Sequence, residues 1–306
     1  MDFPGGKKFA FTIFDDTDRA TVENVKPVYD MLFDLGIFTT KSVWVFSSKN
    51  TQSLDWGSQT LEDIGYLEFI RSLSKKGVEI AFHNASMDSS KRETTITALE
   101  QFYKFLGFYP NVHTNHKSNK ENLYWGQDRL DLWLLKFVMK CKRKSSDFVG
   151  HKLASPFFWG DICQNYITYV RNFVFREINL LRINPTLPYK DPNRSFVNYW
   201  FSSSEGGSVR SFNQLLSSKN QSKLERNGGV CIVYTHFAND FVENGNVNPK
   251  TKELLSELSK RDGWFVPVST LLDYLRSKQV SETRSFNERV NMELRWFLNK
   301  LFYGTS

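Results

Sequence analysis

Short apolar runs alternate with segments of helical period along the first 120 residues. Residues 8–13 (KFAFTI) read as a buried strand, and residues 20–35 carry Val22, Val25, Val28, Met31, Leu32 and Leu35 at the spacing of an amphipathic helix. Residues 42–46 (SVWVF) form a second strand pattern, and residues 61–73 a helix with Ile64, Leu67, Ile70 and Leu73 on one face. After Gly77, residues 78–82 (VEIAF) are a third strand. Residues 92–106 are a helix with Gly107 at its C-cap position, and residues 110–116 a fourth strand. Strand and helix in this order argue for βαβ units, hence a parallel sheet or barrel.

The middle of the chain, about 117–194, is less regular and rich in aromatics; helices are expected near 127–140 and 161–177. The alternation returns at residues 229–234 (GVCIVY), a strand after a Gly-Gly turn. A helix follows at 249–261 with Pro249 at its start, then a short strand at 264–268 and a helix at 269–275. Beyond Lys278 the composition turns polar, and a last helix at 285–302 sets Phe286, Val290, Leu294, Phe297 and Leu301 on one stripe. That stripe is expected to pack on the body, with a dimer contact or a membrane-surface contact as the alternatives.

Composition narrows the class. The 306 residues are 40% hydrophobic and 24% charged, with 27 Phe, 12 Tyr and 8 Trp, which excludes disorder for the body of the chain. No apolar run approaches the ~18 residues of a membrane span. The formal charge is +7, but most basic residues are interspersed with acids. The one dense cluster, Lys140, Lys142, Arg143 and Lys144, reads as a solvated loop, and without a motif around it no nucleic-acid partner is expected. The three cysteines are far apart and form no CxxC pair, so a zinc ribbon or a disulfide framework is not expected. With no secretory pattern at the start of the sequence, a cytoplasmic location is expected.

Candidate chemistry lies at the strand ends. His83 follows the third strand, His116 ends the fourth and His236 lies just beyond the GVCIVY strand, while Asp15 and Asp16 follow the first. Each alone is compatible with a turn or a structural histidine. In parallel α/β folds and barrels, however, the C-terminal strand ends share one face, where active sites collect. Mixed nitrogen and oxygen donors suit zinc or another divalent ion, and leave a carboxylate and an imidazole for proton transfer.

At these residues the sequence resembles the polysaccharide deacetylase (NodB-homology) family. Phe11-Thr12-Ile13-Phe14-Asp15-Asp16 is similar to its T-F-D-D signature, residues 77–84 (GVEIAFHN) to its second motif, and Val233-Tyr234-Thr235-His236 to its last. The resemblance spans most of residues 8–278. It implies a distorted (β/α) barrel of about seven parallel strands over residues 1–278, with an irregular insertion at about 117–194, and a separate C-terminal amphipathic helix at 279–306. It further implies a metal-dependent hydrolase that removes acetyl from an N- or O-acetylated sugar. Asp15 is then the base and His236 the acid, with Asp16 and His83 as ligands of a divalent ion, zinc before cobalt or nickel.

The family's second motif usually carries another histidine where this chain has Met87, and its Arg-Pro motif is not visible; residues 111–116 (NVHTNH) stand in that place. His116 is the expected third ligand, with Asp88 as a second candidate. Tyr124, Trp125 and Trp159 are candidate platforms for a sugar ring. The alternatives are a degenerate barrel that binds or scaffolds glycans, and a hydrolase of the same fold acting on a non-sugar C–N bond.

Overall fold

The strand expected at residues 8–13 runs from Phe9 to Asp15 (β1), with every side chain buried. A run of seven consecutive buried residues is the pattern of a parallel strand covered on both faces. In the computed structural model, which describes residues 2–50, 57–142 and 148–304, β1 is the axis of the fold. It is followed by α1 (Val22–Asp34), β2 (Thr40–Val43), α2 (Ile64–Lys75), β3 (Glu79–Phe82), α3 (Arg92–Leu106) and β4 (Val112–His113). Thr21 caps α1 reciprocally with Asn24, each side chain accepting the other's backbone N–H. Gly107, at φ 85°, ends α3 in the left-handed conformation that glycine adopts without a Cβ clash.

The second half contains α4 (Trp133–Lys142), α5 (Gly160–Tyr166), β5 (Tyr169–Phe175), β6 (Tyr199–Glu205), α6 (Val209–Leu215), α7 (Ser218–Arg226) and β7 (Val230–Thr235). A small hairpin of β8 (Val242–Glu243) and β9 (Asn246–Val247) precedes α8 (Pro249–Ser259). Then come β10 (Gly263–Phe265), α9 (Val268–Lys278) and α10 (Phe286–Tyr303).

Strands β1 to β7 pair in chain order, all parallel, and β7 closes onto β1, giving a seven-stranded (β/α) barrel. The extra strand β10 joins β1 along Phe9–Phe11, below the point where β2 meets it at Phe14 and Asp15. The rings of Phe9 and Phe11 meet Phe265 edge-on at this added seam.

Two features differ from the sequence reading. The helix expected at 161–177 is a short helix, α5, followed by the barrel strand β5. Ile162, Tyr166, Val170 and Phe173 recur at helical spacing, but the aromatic and β-branched run YVRNFVF is buried throughout and takes the strand conformation. Part of the irregular region at 117–194 therefore belongs to the barrel. β6 was not read as a strand because its apolar start, Tyr199 to Phe201, is cut short by Ser202, Ser203 and Ser204; all three serines are fully buried. The helix expected at 127–140 splits into a short 3-10 turn (Gly126–Arg129) and α4.

The last helix also sits differently. Met292, Glu293 and Trp296 face the body, with Trp296 against Phe173 of β5. The stripe expected to pack inward instead has Phe286, Leu294 and Leu301 exposed, with Val290 and Phe297 half-buried. Packing is carried by the neighbouring face because Trp296 and Met292 fit the groove beside β5.

The barrel interior holds a fully buried ion pair, Lys41 Nζ on β2 to Asp15 Oδ2 on β1 at 3.0 Å. Asp15 also accepts from the Tyr29 hydroxyl of α1 (2.9 Å) and from the backbone N–H of Phe237 (2.8 Å). Burial works against the Lys41 charge, but Asp15 beside it prevails and holds the ammonium above its ordinary pKa. Removing one member of such a pair strands the other charge. Lys41→Met is expected to lower stability by about 3–5 kcal/mol in urea denaturation, and the double variant Lys41→Met/Asp15→Asn to regain much of that loss. A single variant as stable as the parent would contradict this account.

Candidate active site

Every strand of the barrel runs the same way, so the segments that leave β1, β3, β4 and β7 meet at one mouth. A cavity of about 230 Å³ opens there, lined among others by Asp16, Asp18, His83, His116, Trp125, Arg171, Tyr234 and His236.

Asp18 is the hub. Its Oδ2 lies 3.0 Å from His236 Nε2 and 3.5 Å from His83 Nε2, and its Oδ1 lies 3.1 Å from His116 Nε2. Burial would push the Asp18 carboxyl up, yet the hydrogen bonds from His116 and His236 outweigh it and hold the group well below its ordinary range. His236 shows the reciprocal effect. Burial pulls its pKa down, but the hydrogen bond and charge of Asp18, with the charge of Asp16, raise it to about 9.

The imidazoles are set from behind. His116 Nδ1 lies 2.8 Å from Asn119 Oδ1 and His236 Nδ1 lies 3.3 Å from the Gly207 carbonyl. Since both partners are acceptors, Nδ1 donates in each, and the Nε2 that faces the Asp18 carboxylate carries the second proton of the imidazolium; loss of that proton would free an Nε2 lone pair for a cation. Trp44, fully buried at the end of β2, packs against both His83 and His116. Asn84, at φ 61°, accepts from the His116 N–H and donates to Glu121 and Asn122, so it ties the end of β3 to the loop that carries His116.

Asp16 is held differently. Both of its oxygens take the Arg171 guanidinium, at 2.9 and 2.5 Å, and both side chains are about 3% exposed. Arg171 is itself sandwiched between the rings of Phe14 and Tyr234. The pairing of β5 with β6 shifts register between Arg171 and Val174. This irregularity lets two residues three apart line one cavity, where regular alternation would send them to opposite faces.

The residues expected from sequence are thus distributed unevenly. Asp16, His83, His116, His236 and Trp125 reach the cavity. Asp15 stands outside its lining, with its oxygens taken by Lys41, Tyr29 and Phe237. Trp159 is fully buried, donates its ring N–H to the Glu121 carbonyl, and has no face to offer a sugar. Tyr124 stacks on His151 rather than lining the cavity. The Asp88 carboxylate accepts from Ser48 and the Lys49 N–H, away from the cluster. Asp18 and Arg171 were missed. Their signals were a third acid two residues after Asp16, and an arginine inside the apolar run of β5.

The donor set suits a divalent cation. His83 is 1% exposed and neither ring nitrogen forms a hydrogen bond, a costly state for a buried polar group unless something else meets it. Asp16, Asp18 and His236 each offer an atom within 4.8 Å of the others. Asp16 is already engaged by Arg171, however, which leaves Asp18, His83 and His116 as the better ligand set. One carboxylate and two imidazoles are a common catalytic zinc environment.

No family model matches the sequence, and no curated protein is significantly similar to it. Solved structures do resemble it. A Mycobacterium smegmatis protein assigned as a polysaccharide deacetylase is 13% identical, with a TM-score of 0.53 over 93% of this chain and 96% of that one. A Pseudomonas aeruginosa PAO1 protein given the same assignment is 11% identical, with a TM-score of 0.50 over 90% of this chain and 94% of that one. The allantoinase PuuE is also 11% identical, with a TM-score of 0.50 over 90% and 93%. The chain therefore has the distorted (β/α) barrel fold that its resemblance to the polysaccharide deacetylases implied.

Proposed function

We propose that this protein is a metal-dependent hydrolase that removes an acetyl group from an N- or O-acetylated sugar. The observation that carries the reading is the convergence of three imidazole Nε2 atoms on the Asp18 carboxylate, beside an Asp16–Arg171 pair, at the mouth of the barrel. Asp18, His83 and His116 hold the ion, with zinc the best match to this donor set. When bound there, a divalent cation supplies Lewis acidity toward an acyl oxygen and toward water.

The chain's own residues do the proton work. In the resemblance Asp15 is the base and Asp16 a ligand; in this reading each role moves along the chain, to Asp16 and Asp18. Arg171 fixes both Asp16 oxygens, so the carboxylate is oriented to accept the proton of the attacking water. His236 stands across the cluster with Nδ1 tied to Gly207, and its protonated Nε2 is the donor to the departing amine or alkoxide. Trp125 supplies a flat wall for the sugar ring. The fold shared with an allantoinase favours a second reading, hydrolysis of a C–N bond in a non-sugar substrate.

Protein purified without added metal or chelator is expected to hold near one equivalent of a divalent ion, lost in both Asp18→Ala and His83→Ala by elemental analysis. If the wild type holds none and takes up none on titration with zinc, cobalt or nickel, the enzymatic reading falls and a glycan-binding barrel replaces it. Asp16→Asn and His236→Ala are expected to keep the ion and to lose about 10²–10⁴-fold in acetate release from acetylated sugars. Hydrolysis of allantoin or of simple amides, with no acetate released from the sugars, would select the second reading.

In the metal-free chain, the His236 ring is expected to titrate near 9 by NMR, and near its ordinary value in Asp18→Asn. Because the folded pKa is raised, the stability from this contact is full below about 6.5 and is lost as pH rises through 9. A midpoint near 6.5 in the wild type would contradict the contact.

A further inference from the structure

We propose that the face built by α4 and α10 docks this protein on the surface of an anionic lipid bilayer. The inference goes beyond the proposed activity and does not depend on it.

Both helices turn an apolar face to solvent. On α4, Leu135 and Met139 are buried, while Trp133, Leu134 and Phe137 are 76%, 55% and 61% exposed. On α10, Phe286, Leu294, Leu298, Leu301 and Phe302 are all exposed. The two helices are joined rigidly. The buried Glu293 carboxylate of α10 accepts the backbone N–H groups of Asp131 and Leu132 at the start of α4, at 2.8 and 2.9 Å, and Arg289 pairs with Asp131 at 3.0 Å. Isolated exposed apolar side chains are ordinary, but two linked helices that each expose a large apolar face form an interaction surface.

The charge on this face selects the partner. The α4 sequence carries Lys136 and Lys140 and no acid. The acids of α10 are turned away: Glu293 is buried, and Glu288 accepts from the Ser285 N–H and the Thr186 hydroxyl. Lysine and arginine flanking Trp, Phe and Leu mark a helix that lies in the interface of an anionic membrane. A second copy of the chain fits less well, because a twofold contact would bring the two lysine-bearing helices together. No helix among the described residues is long and apolar enough to cross a membrane, so the contact is a surface one.

The buried side of α10 is tied to the cavity wall. The Arg129 guanidinium lies 3.6 Å from the ring centre of Trp125, a cavity wall, and 4.9 Å from that of Trp296 on α10.

The test is vesicle co-sedimentation of the 306-residue chain. Vesicles of phosphatidylcholine alone are compared with vesicles containing about one third phosphatidylserine. Binding is expected to the anionic vesicles, and to weaken as salt is raised. Trp133→Ser/Leu301→Ser is expected to lower the partition coefficient by at least about tenfold. Lys136→Glu/Lys140→Glu is expected to remove the preference for phosphatidylserine. All the substituted side chains lie at or near the surface, and an unchanged circular dichroism melt confirms that each variant folds. No binding to either vesicle, or equal binding by wild type and both variants, would overturn the proposal. So would a wild-type dimer that becomes monomeric in the Trp133→Ser/Leu301→Ser variant. These readouts do not involve catalysis, so a failed acetate-release assay leaves them intact.

Discussion

A buried charge needs a partner, and the one at the end of β1 organises this mouth of the barrel. Asp15 points into the core, where Lys41 of β2, the Tyr29 hydroxyl of α1 and the Phe237 N–H all converge on its two oxygens. One side chain thus fixes where β1 ends, how α1 leans on the barrel, and where the chain turns after β7. Asp16 and Asp18 follow Asp15 in sequence, and His236 immediately precedes Phe237. Their positions are set by an ion pair that never touches the cavity.

Above that knot, two carboxylates experience opposite surroundings. Asp16 is matched by a guanidinium that fills both of its oxygens, while Asp18 faces three imidazoles. An arginine keeps its charge at any ordinary pH, so Asp16 is permanently balanced. Imidazoles gain or lose theirs, so the Asp18 cluster can exchange protons for a cation. This asymmetry leaves one carboxylate matched to a fixed cation and the other to groups whose charge can change, within three residues of the chain.

Much of the fold was legible because parallel barrel strands are buried on both faces and so read as short apolar runs. β1, β3 and β7 did so, and α3 matched its expected span. β6 did not, because three buried serines, two of them bonded to the Glu177 carbonyl and the Asn184 amide, cut its aromatic start to three residues. β5 was masked by an accidental helical spacing and by the arginine in its midst. The outward stripe of α10 followed the right period, but period alone does not say which of two apolar faces meets the body.

The sequence by itself determined that strands and helices alternate and that His83, His116 and His236 stand at strand ends. In a parallel barrel, those facts suffice to bring the three rings to one mouth. Tertiary structure decided which acids reach that mouth. Asp15, Asp16 and Asp18 are chemically alike and nearly adjacent, and local sequence cannot rank them. The difference lies in what crosses the barrel to meet each one. Lys41 withdraws Asp15 into the core and Arg171, 155 residues away, clamps Asp16. Asp18 is left to the histidines, because electrostatic partners are chosen by distance in space, and that distance exists only once the barrel has closed.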